Sequence, residues 1–246
     1  VFDYDGEMRF LQGRFRSAWG VRDGDRVLDV GCGGGQTTRE AAADVGRGRV
    51  VGVDVSERML EQARRRTADE RISYLLADAA TYDFGEGSFD VCISRFGVMF
   101  FDDPVGAFAN LRRALRPGGR LVAMVWQARA DNEWAQAIPA TIGGDATARD
   151  DSPFSLGDPD VARGILTSAG FGEVTFAAVH ERLYYGPDVE TAYENVLQLR
   201  EPLALLAELS PADAERARAD LRAMLAAHDS GDGILFDSAA WIVTAK

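Results

Sequence analysis

The chain is poor in the side chains that most often perform covalent or metal chemistry. Lysine occurs once, at Lys246, and the other 26 basic residues are arginines. Schiff-base chemistry, pyridoxal phosphate anchoring and a P-loop lysine each need an ammonium held inside the fold, and a lone lysine at the last position supplies none. Two histidines, His180 and His228, and two cysteines, Cys32 and Cys92, are the whole supply for a metal or a Cys/His pair, and no zinc-ligand spacing occurs, so no metal is expected. Thiols this sparse suit a reducing compartment. The opening residues show no basic segment followed by an apolar run, and no stretch approaches 20 apolar residues, which together suggest a cytoplasmic protein. Positive charge is short as well: 27 basic residues against 39 acidic ones leave a net charge of −12. That balance repels phosphate backbones and anionic lipid, so neither nucleic acid nor membrane is expected as a partner.

What is present is ordinary for a globular chain: 246 residues, 46% hydrophobic and 27% charged, with 26 glycines and 8 prolines. From Arg26 to Trp126 short apolar runs alternate with amphipathic stretches. The runs are Val27 to Val30, Val50 to Val53, Ile72 to Leu76, Val91 to Ser94 and Arg120 to Trp126, apolar throughout as parallel strands covered on both faces should be. Ser56 starts a helix over 57–67, Asp103-Pro104 starts one over 105–115, and Pro117-Gly118-Gly119 ends the second. The rhythm implies an α/β, Rossmann-like, doubly wound sheet, mostly parallel and seven-stranded with an antiparallel last strand, carrying helical cap insertions. One domain is expected over 1–246: a helical segment at 1–25 with an amphipathic helix over 5–19, a core at 26–127, irregular and helical insertions at 128–157 and 187–230, and the remaining sheet at 158–186 and 231–246. The later elements are a helix from Asp158-Pro159 to Ala169, a strand around 174–179, a helix over 188–209 bent at Pro202, a helix from the Ser210 cap to Ala227, and a strand over 239–245.

The stretch Val27-Leu28-Asp29-Val30-Gly31-Cys32-Gly33-Gly34-Gly35 reads as a strand entering a glycine turn and then a helix opened by Gln36. Glycines there admit a ligand close to the backbone. The spacing is not the Gly-x-Gly-x-x-Gly of dinucleotide sites, and Asp29 stands two residues before the first glycine, where a pyrophosphate would be repelled and an ammonium welcomed. Asp54 closes the second strand nineteen residues beyond Gly35, the distance at which a carboxylate meets ribose hydroxyls in either kind of adenosine cofactor. Asp78 follows the third strand.

On Val27 to Gly35, Val51-Gly52-Val53-Asp54-Val55-Ser56, Asp78-Ala79, Ser88-Phe89-Asp90-Val91 and Leu115 to Leu121, residues 26–127 resemble the class I S-adenosylmethionine (SAM)-dependent methyltransferases, the broad group that includes the ubiquinone and menaquinone biosynthesis enzymes. The resemblance implies SAM as cofactor and S-adenosylhomocysteine as product. It places Asp29 with Gly31, Gly33, Gly35 and Gln36 at the methionine end, Asp54 at the ribose, Val55 and Met59 on the adenine faces, Asp78 with the Ala79 backbone at the adenine edge, and Arg95 beside the methionine. Arg95 equally suits an ion pair with Asp102 or Asp103.

The resemblance fades after Gln127, where such enzymes choose their acceptor. In-line displacement at a sulfonium needs alignment and exclusion of water more than a fixed base. His180 is a candidate base and also reads as a solvent-side strand residue; His228 suits a helix C-terminus. Trp134, Phe154, Tyr184 and Trp241 are candidates for an acceptor pocket and equally for packing. The expected activity is methyl transfer to an O, N or C nucleophile of a small molecule. A nicotinamide-dependent oxidoreductase and a SAM-binding protein without methyl transfer are the other readings, and nothing in the sequence sets an oligomeric state.

Overall fold

Strands β1 (Arg26–Val30), β2 (Arg49–Asp54), β3 (Ile72–Leu76), β4 (Phe89–Arg95), β5 (Leu115–Trp126), β6 (Val174–Gly186) and β7 (Ile234–Ala245) form one sheet in the order β3-β2-β1-β4-β5-β7-β6. The first five pair in parallel. β7 runs antiparallel to β5, with Leu121 opposite Ala245 and Trp126 opposite Ala240. This is the Rossmann-like sheet that the alternation of apolar runs implies. The computed structural model describes residues 4–143 and 150–246, so residues 144–149 of the expected insertion lie outside the described residues.

The chain divides into two units. The core unit comprises Gln12–Gln127, Ser152–Val179 and Ala240–Lys246, and the helical unit comprises Val1–Leu11, Ala128–Asp151 and His180–Ala239. The described helices are α1 (Tyr4–Glu7), α2 (Arg9–Trp19), α3 (Gln36–Asp44), α4 (Glu57–Arg65), α5 (Pro104–Ala114), α6 (Glu133–Ile142), α7 (Pro159–Ser168), α8 (Val189–Val196), α9 (Arg200–Glu208) and α10 (Pro211–Ala227).

In the core unit the central strands are apolar on both faces because helices cover both. Val27, Leu28, Val30, Val91, Cys92, Ile93 and residues 121–125 are buried. Helix starts follow their capping chemistry: Asp103 accepts the Gly106 N–H at 3.0 Å and Asp158 that of Asp160 at 2.8 Å, each followed by a proline at the first helical position, where no N–H is needed.

The helical unit departs from expectation in four places. The segment after Gln127 is not irregular throughout, because α6 forms over Glu133–Ile142 with Pro139 inside it. A proline cannot donate to the carbonyl four residues back. Here the Ala135 carbonyl accepts instead from Arg129 Nη1 at 3.0 Å, and that guanidinium also binds Asp151 at 2.7 Å and Glu201 at 3.1 Å. The expected helix over 188–209 is two helices that break at 197–199, so Pro202 stands in the first turn of α9 and bends nothing. β6 and β7 extend to Gly186 and back to Ile234, well beyond the apolar stretches that announce them. α10 lies against α6 and α8, and α6 against α9, burying Ile138, Val196, Leu205, Leu221 and Leu225. At the chain's start, the single helix over 5–19 is divided at Met8 into α1 and α2.

Candidate functional site

The strand order reverses between β1 and β4, which leave a crevice at their carboxyl ends. The chain closes the floor of that crevice with two glycines. A Cβ on Gly31 would lie 2.6 Å from the Gly97 Cα, so the turn after β1 and the turn after β4 touch backbone to backbone. The hydroxyl of buried Ser94 donates to the Val30 carbonyl at 2.8 Å and accepts the Gly97 N–H at 3.2 Å, fixing the second turn to the first strand.

Four amides of the glycine loop are satisfied within the chain. Gly31 N and Cys32 N donate to the Val53 carbonyl at 2.9 and 3.1 Å, Gly33 N to Asp54 Oδ2 at 2.9 Å, and Gly35 N to the Cys32 carbonyl at 2.9 Å. The Gly34 amide and the first amides of α3 are left for a ligand, so against a dinucleotide the glycine spacing and the neighbouring Asp29 remain the argument. Asp54 also accepts the Ser56 N–H at 2.8 Å on Oδ1. Each carboxylate oxygen therefore holds one backbone donor, with lone pairs left for two more. Around Gly33, which is left-handed at φ 51°, only the Met59 Cε lies near where a Cβ would stand, at 3.4 Å. Gly35 differs: its Cβ position is filled by the Tyr74 hydroxyl, so that glycine serves packing. Val55 is 70% exposed beside Asp54, and Leu76, opposite Asp54 in the β2/β3 register, is 50% exposed. An open glycine, a half-used carboxylate and exposed aliphatic side chains at adjacent strand tips fit a ribose bearing a flat apolar base.

The remaining cofactor candidates are placed as follows. Asp78 is exposed, and its Oδ1 accepts the Ala80 N–H at 2.8 Å; the Ala79 carbonyl accepts from Asn110 at 3.0 Å. Asp29 is 1% exposed and accepts the Thr38 hydroxyl of α3 at 2.6 Å. Arg95 Nη1 donates to Gln12 Oε1 and Gln36 Oε1, both at 2.9 Å. Thr38, Gln12, Glu40 and Leu76 are neighbours of the site that sequence reasoning missed. Only Leu76, an apolar residue closing a strand two places before Asp78, carried a local signal. Burial, with the charges of Asp29 and Asp54, holds the Cys32 thiol far above its ordinary range, and burial with Asp29 does the same to Cys92, so neither is poised as a nucleophile.

The acceptor candidates fall in different units. Trp134 and Tyr184 belong to the helical unit, where Trp134 Nε1 donates to Asn132 at 3.2 Å and the Arg9 guanidinium covers the Tyr184 ring at 3.5 Å. Phe154 and Trp241 belong to the core unit, where Trp241 Nε1 donates to the Gly157 carbonyl at 2.9 Å and its ring meets the edge of Phe176. His180 is an exposed strand residue. His228 caps α10, stacks on Phe236 and sets Nε2 3.2 Å from Glu133. Among the described residues no group of three His, Cys, Asp or Glu side chains is placed to hold a metal ion, and no described helix is long and apolar enough to cross a membrane.

In fold and in the geometry of its strand tips the core unit is similar to a class I, SAM-dependent methyltransferase core. Residues 28–123 match the family described as methyltransferase domain. The chain is 40% identical over 102 residues to the aklanonic acid methyltransferase DauC of Streptomyces sp. strain C5, covering 40% of this chain and 46% of that protein. It is 38% identical over 107 residues to the demethylmenaquinone methyltransferase of Staphylococcus aureus, covering 43% and 44%. The match thus spans less than half the length of these curated relatives. In fold, it is similar to a putative methyltransferase from Bacillus halodurans C-125, with a TM-score of 0.64 over 95% of this chain and 97% of that one at 18% identity.

Proposed function

We propose that the protein binds SAM at the carboxyl ends of β1, β2 and β4 and transfers its methyl group to an O, N or C nucleophile of a small molecule. The observation that carries this reading is the Asp54 carboxylate held between the Gly33 and Ser56 amides, beside an open glycine and exposed Val55. In this reading Asp54 receives the ribose hydroxyls, Val55 and Met59 enclose the adenine, Asp78 and the Ala79 backbone meet its edge, and the β1 turn with Asp29, Gly31, Gly33, Gly35, Gln36 and Arg95 surrounds the methionine. SAM when bound supplies an activated methyl on a sulfonium. The chain's own task is then alignment and exclusion of water, which orientation alone can make worth about 7 to 11 kcal/mol.

A small acceptor is supported by the relatives, two of which act by name on aklanonic acid and demethylmenaquinone. The net charge of −12 also disfavours nucleic acid. The residues that choose the acceptor lie in this reading outside the matched segment, in the insertions leaving β5 and β6. Two reduced, buried cysteines support a cytoplasmic site of action.

Calorimetry with SAM and with NAD tests the cofactor assignment. SAM is expected to bind with micromolar affinity or better and NAD not at all. Asp54→Ala should weaken SAM at least tenfold, since each charge-assisted hydrogen bond is worth about 1.5 to 3 kcal/mol. Unchanged affinity in that variant removes the ribose assignment. Methyl-labelled SAM with a panel of small acceptors, read by mass spectrometry, separates a transferase from a protein that binds SAM and moves no methyl group.

A further inference from the structure

We propose that Glu40 and Gln12, neither of them at the cofactor cleft, are positioning residues for its methionine end, acting through Arg95 and Gln36. The inference rests on the SAM reading above. Four side chains close a hydrogen-bonded ring. Arg95 Nη1 donates to Gln12 Oε1 and Gln36 Oε1, both at 2.9 Å, while Gln12 Nε2 donates to Glu40 Oε2 at 2.7 Å and Gln36 Nε2 to Glu40 Oε1 at 3.0 Å. A guanidinium only donates and an ionised carboxylate only accepts, so each amide has one allowed orientation, oxygen toward Arg95 and nitrogen toward Glu40. The charges of Arg95 and Glu40 are thereby linked through two polarised amides rather than by contact.

Two corners of the ring adjoin the site. Gln36 opens α3 directly after Gly35, and Arg95 ends β4 two residues before Gly97, whose backbone lies against Gly31. The other two stand back from it: Glu40 is one helical turn further along α3, and Gln12, on α2, is 4% exposed. Removing the Glu40 charge takes away one of the two groups that fix both amides and leaves them tied to Arg95 alone. Gln36 and Arg95 then lose their set orientation beside the glycine loop while every residue assigned to the cofactor is still in place. A tether that merely fastened α2 to α3 would instead show itself in the stability of α2.

The experiment measures SAM affinity by calorimetry for the whole chain carrying Glu40→Gln, Arg95→Gln or both, with Gln12→Met as a second, near-isosteric break in the ring. Hydrogen exchange of residues 12–19 is followed in each ligand-free variant. Glu40→Gln and Gln12→Met are expected to weaken SAM about tenfold with the exchange of residues 12–19 unchanged, and the double variant to bind no more weakly than Arg95→Gln alone. Wild-type affinity in Glu40→Gln, losses that multiply in the double variant, or lost affinity matched by lost protection of residues 12–19 would each overturn the proposal while SAM binding by the wild type stands. A wild-type protein that binds no SAM overturns the cofactor reading, and this proposal with it.

Discussion

Phe96 has a left-handed backbone, φ 59°, a conformation that costs a residue with a Cβ roughly 1 to 2 kcal/mol. It is held there from several sides. Its N–H donates to the Met124 carbonyl at 2.9 Å, Ser94 clamps the next residue, and its ring stacks on Trp126 with centroids 4.0 Å apart. Truncation to alanine should cost about 3 kcal/mol through the lost packing. Phe96→Gly should be less destabilised than Phe96→Ala by about 1 kcal/mol, because glycine adopts this backbone without penalty. Urea unfolding reads the order, and alanine ahead of glycine would show that the turn is unstrained. Asp29 offers a second test at this scale. Asparagine can still accept the Thr38 hydroxyl, so Asp29→Asn removes charge and little else; it should weaken SAM by about 1 kcal/mol, roughly fivefold, with the ligand-free melting temperature nearly unchanged. The place of Asp54 and Val55 at a strand tip was legible because a strand tip has a fixed place in a βα unit. Gln12 was not, since its partners Glu40 and Arg95 lie 28 and 83 positions away and nothing local marks them.

At the scale of elements, α6 forms although Pro139 interrupts it, because Arg129 supplies the donor that the proline lacks. Arg129 and Glu201 are nearly buried, with side chains 13% and 14% exposed, so Arg129→Met should destabilise by about 3 kcal/mol. In a Pro139→Ala background the helix makes its own bond to Ala135, and the same substitution should cost about 1 kcal/mol less; equal costs in both backgrounds would show that the guanidinium does not mend the helix. That long-range repair is why a proline-marked stretch reads as irregular in sequence and folds as a helix. Asp90 shows the converse, a residue inside the recognisable pattern whose work is structural. Burial pushes its carboxyl up, but the Arg26 N–H at 2.7 Å and the Arg116 guanidinium outweigh burial and hold it below its ordinary 3.8. A depressed folded value gives stability that is full above the unfolded value and lost as pH falls through the folded one. Wild type should therefore exceed Asp90→Asn by about 2 kcal/mol at neutral pH, and the gap should close below about pH 4. A gap that persists in acid would assign the effect to something other than the carboxylate.

For the whole molecule, the parallel half of the sheet was legible because its strands are short apolar runs and the helices after β1, β2 and β4 have readable starts. The far reach of β6 and β7 was not. His180, Glu181 and Arg182 look like the end of a strand, yet the ladder continues through them to Gly186. β7 itself is indispensable in this architecture, since it fills the place between β5 and β6. Deleting residues 240–246 removes no residue assigned to the cofactor, yet it leaves β5 and β6 each with an unpaired edge, and the truncated chain is expected to aggregate. A soluble truncated protein that still binds SAM would show that the parallel strands suffice alone. The same strand order sets a timetable on the ribosome. Residues 26–127 are synthesised early, but their sheet waits with an open seam while residues 128–239 are made, and only β7 can close it. Rare codons, chaperone supply or a fused partner placed after β7 would act on that insertion, long after the segment that matches the methyltransferase family has been translated.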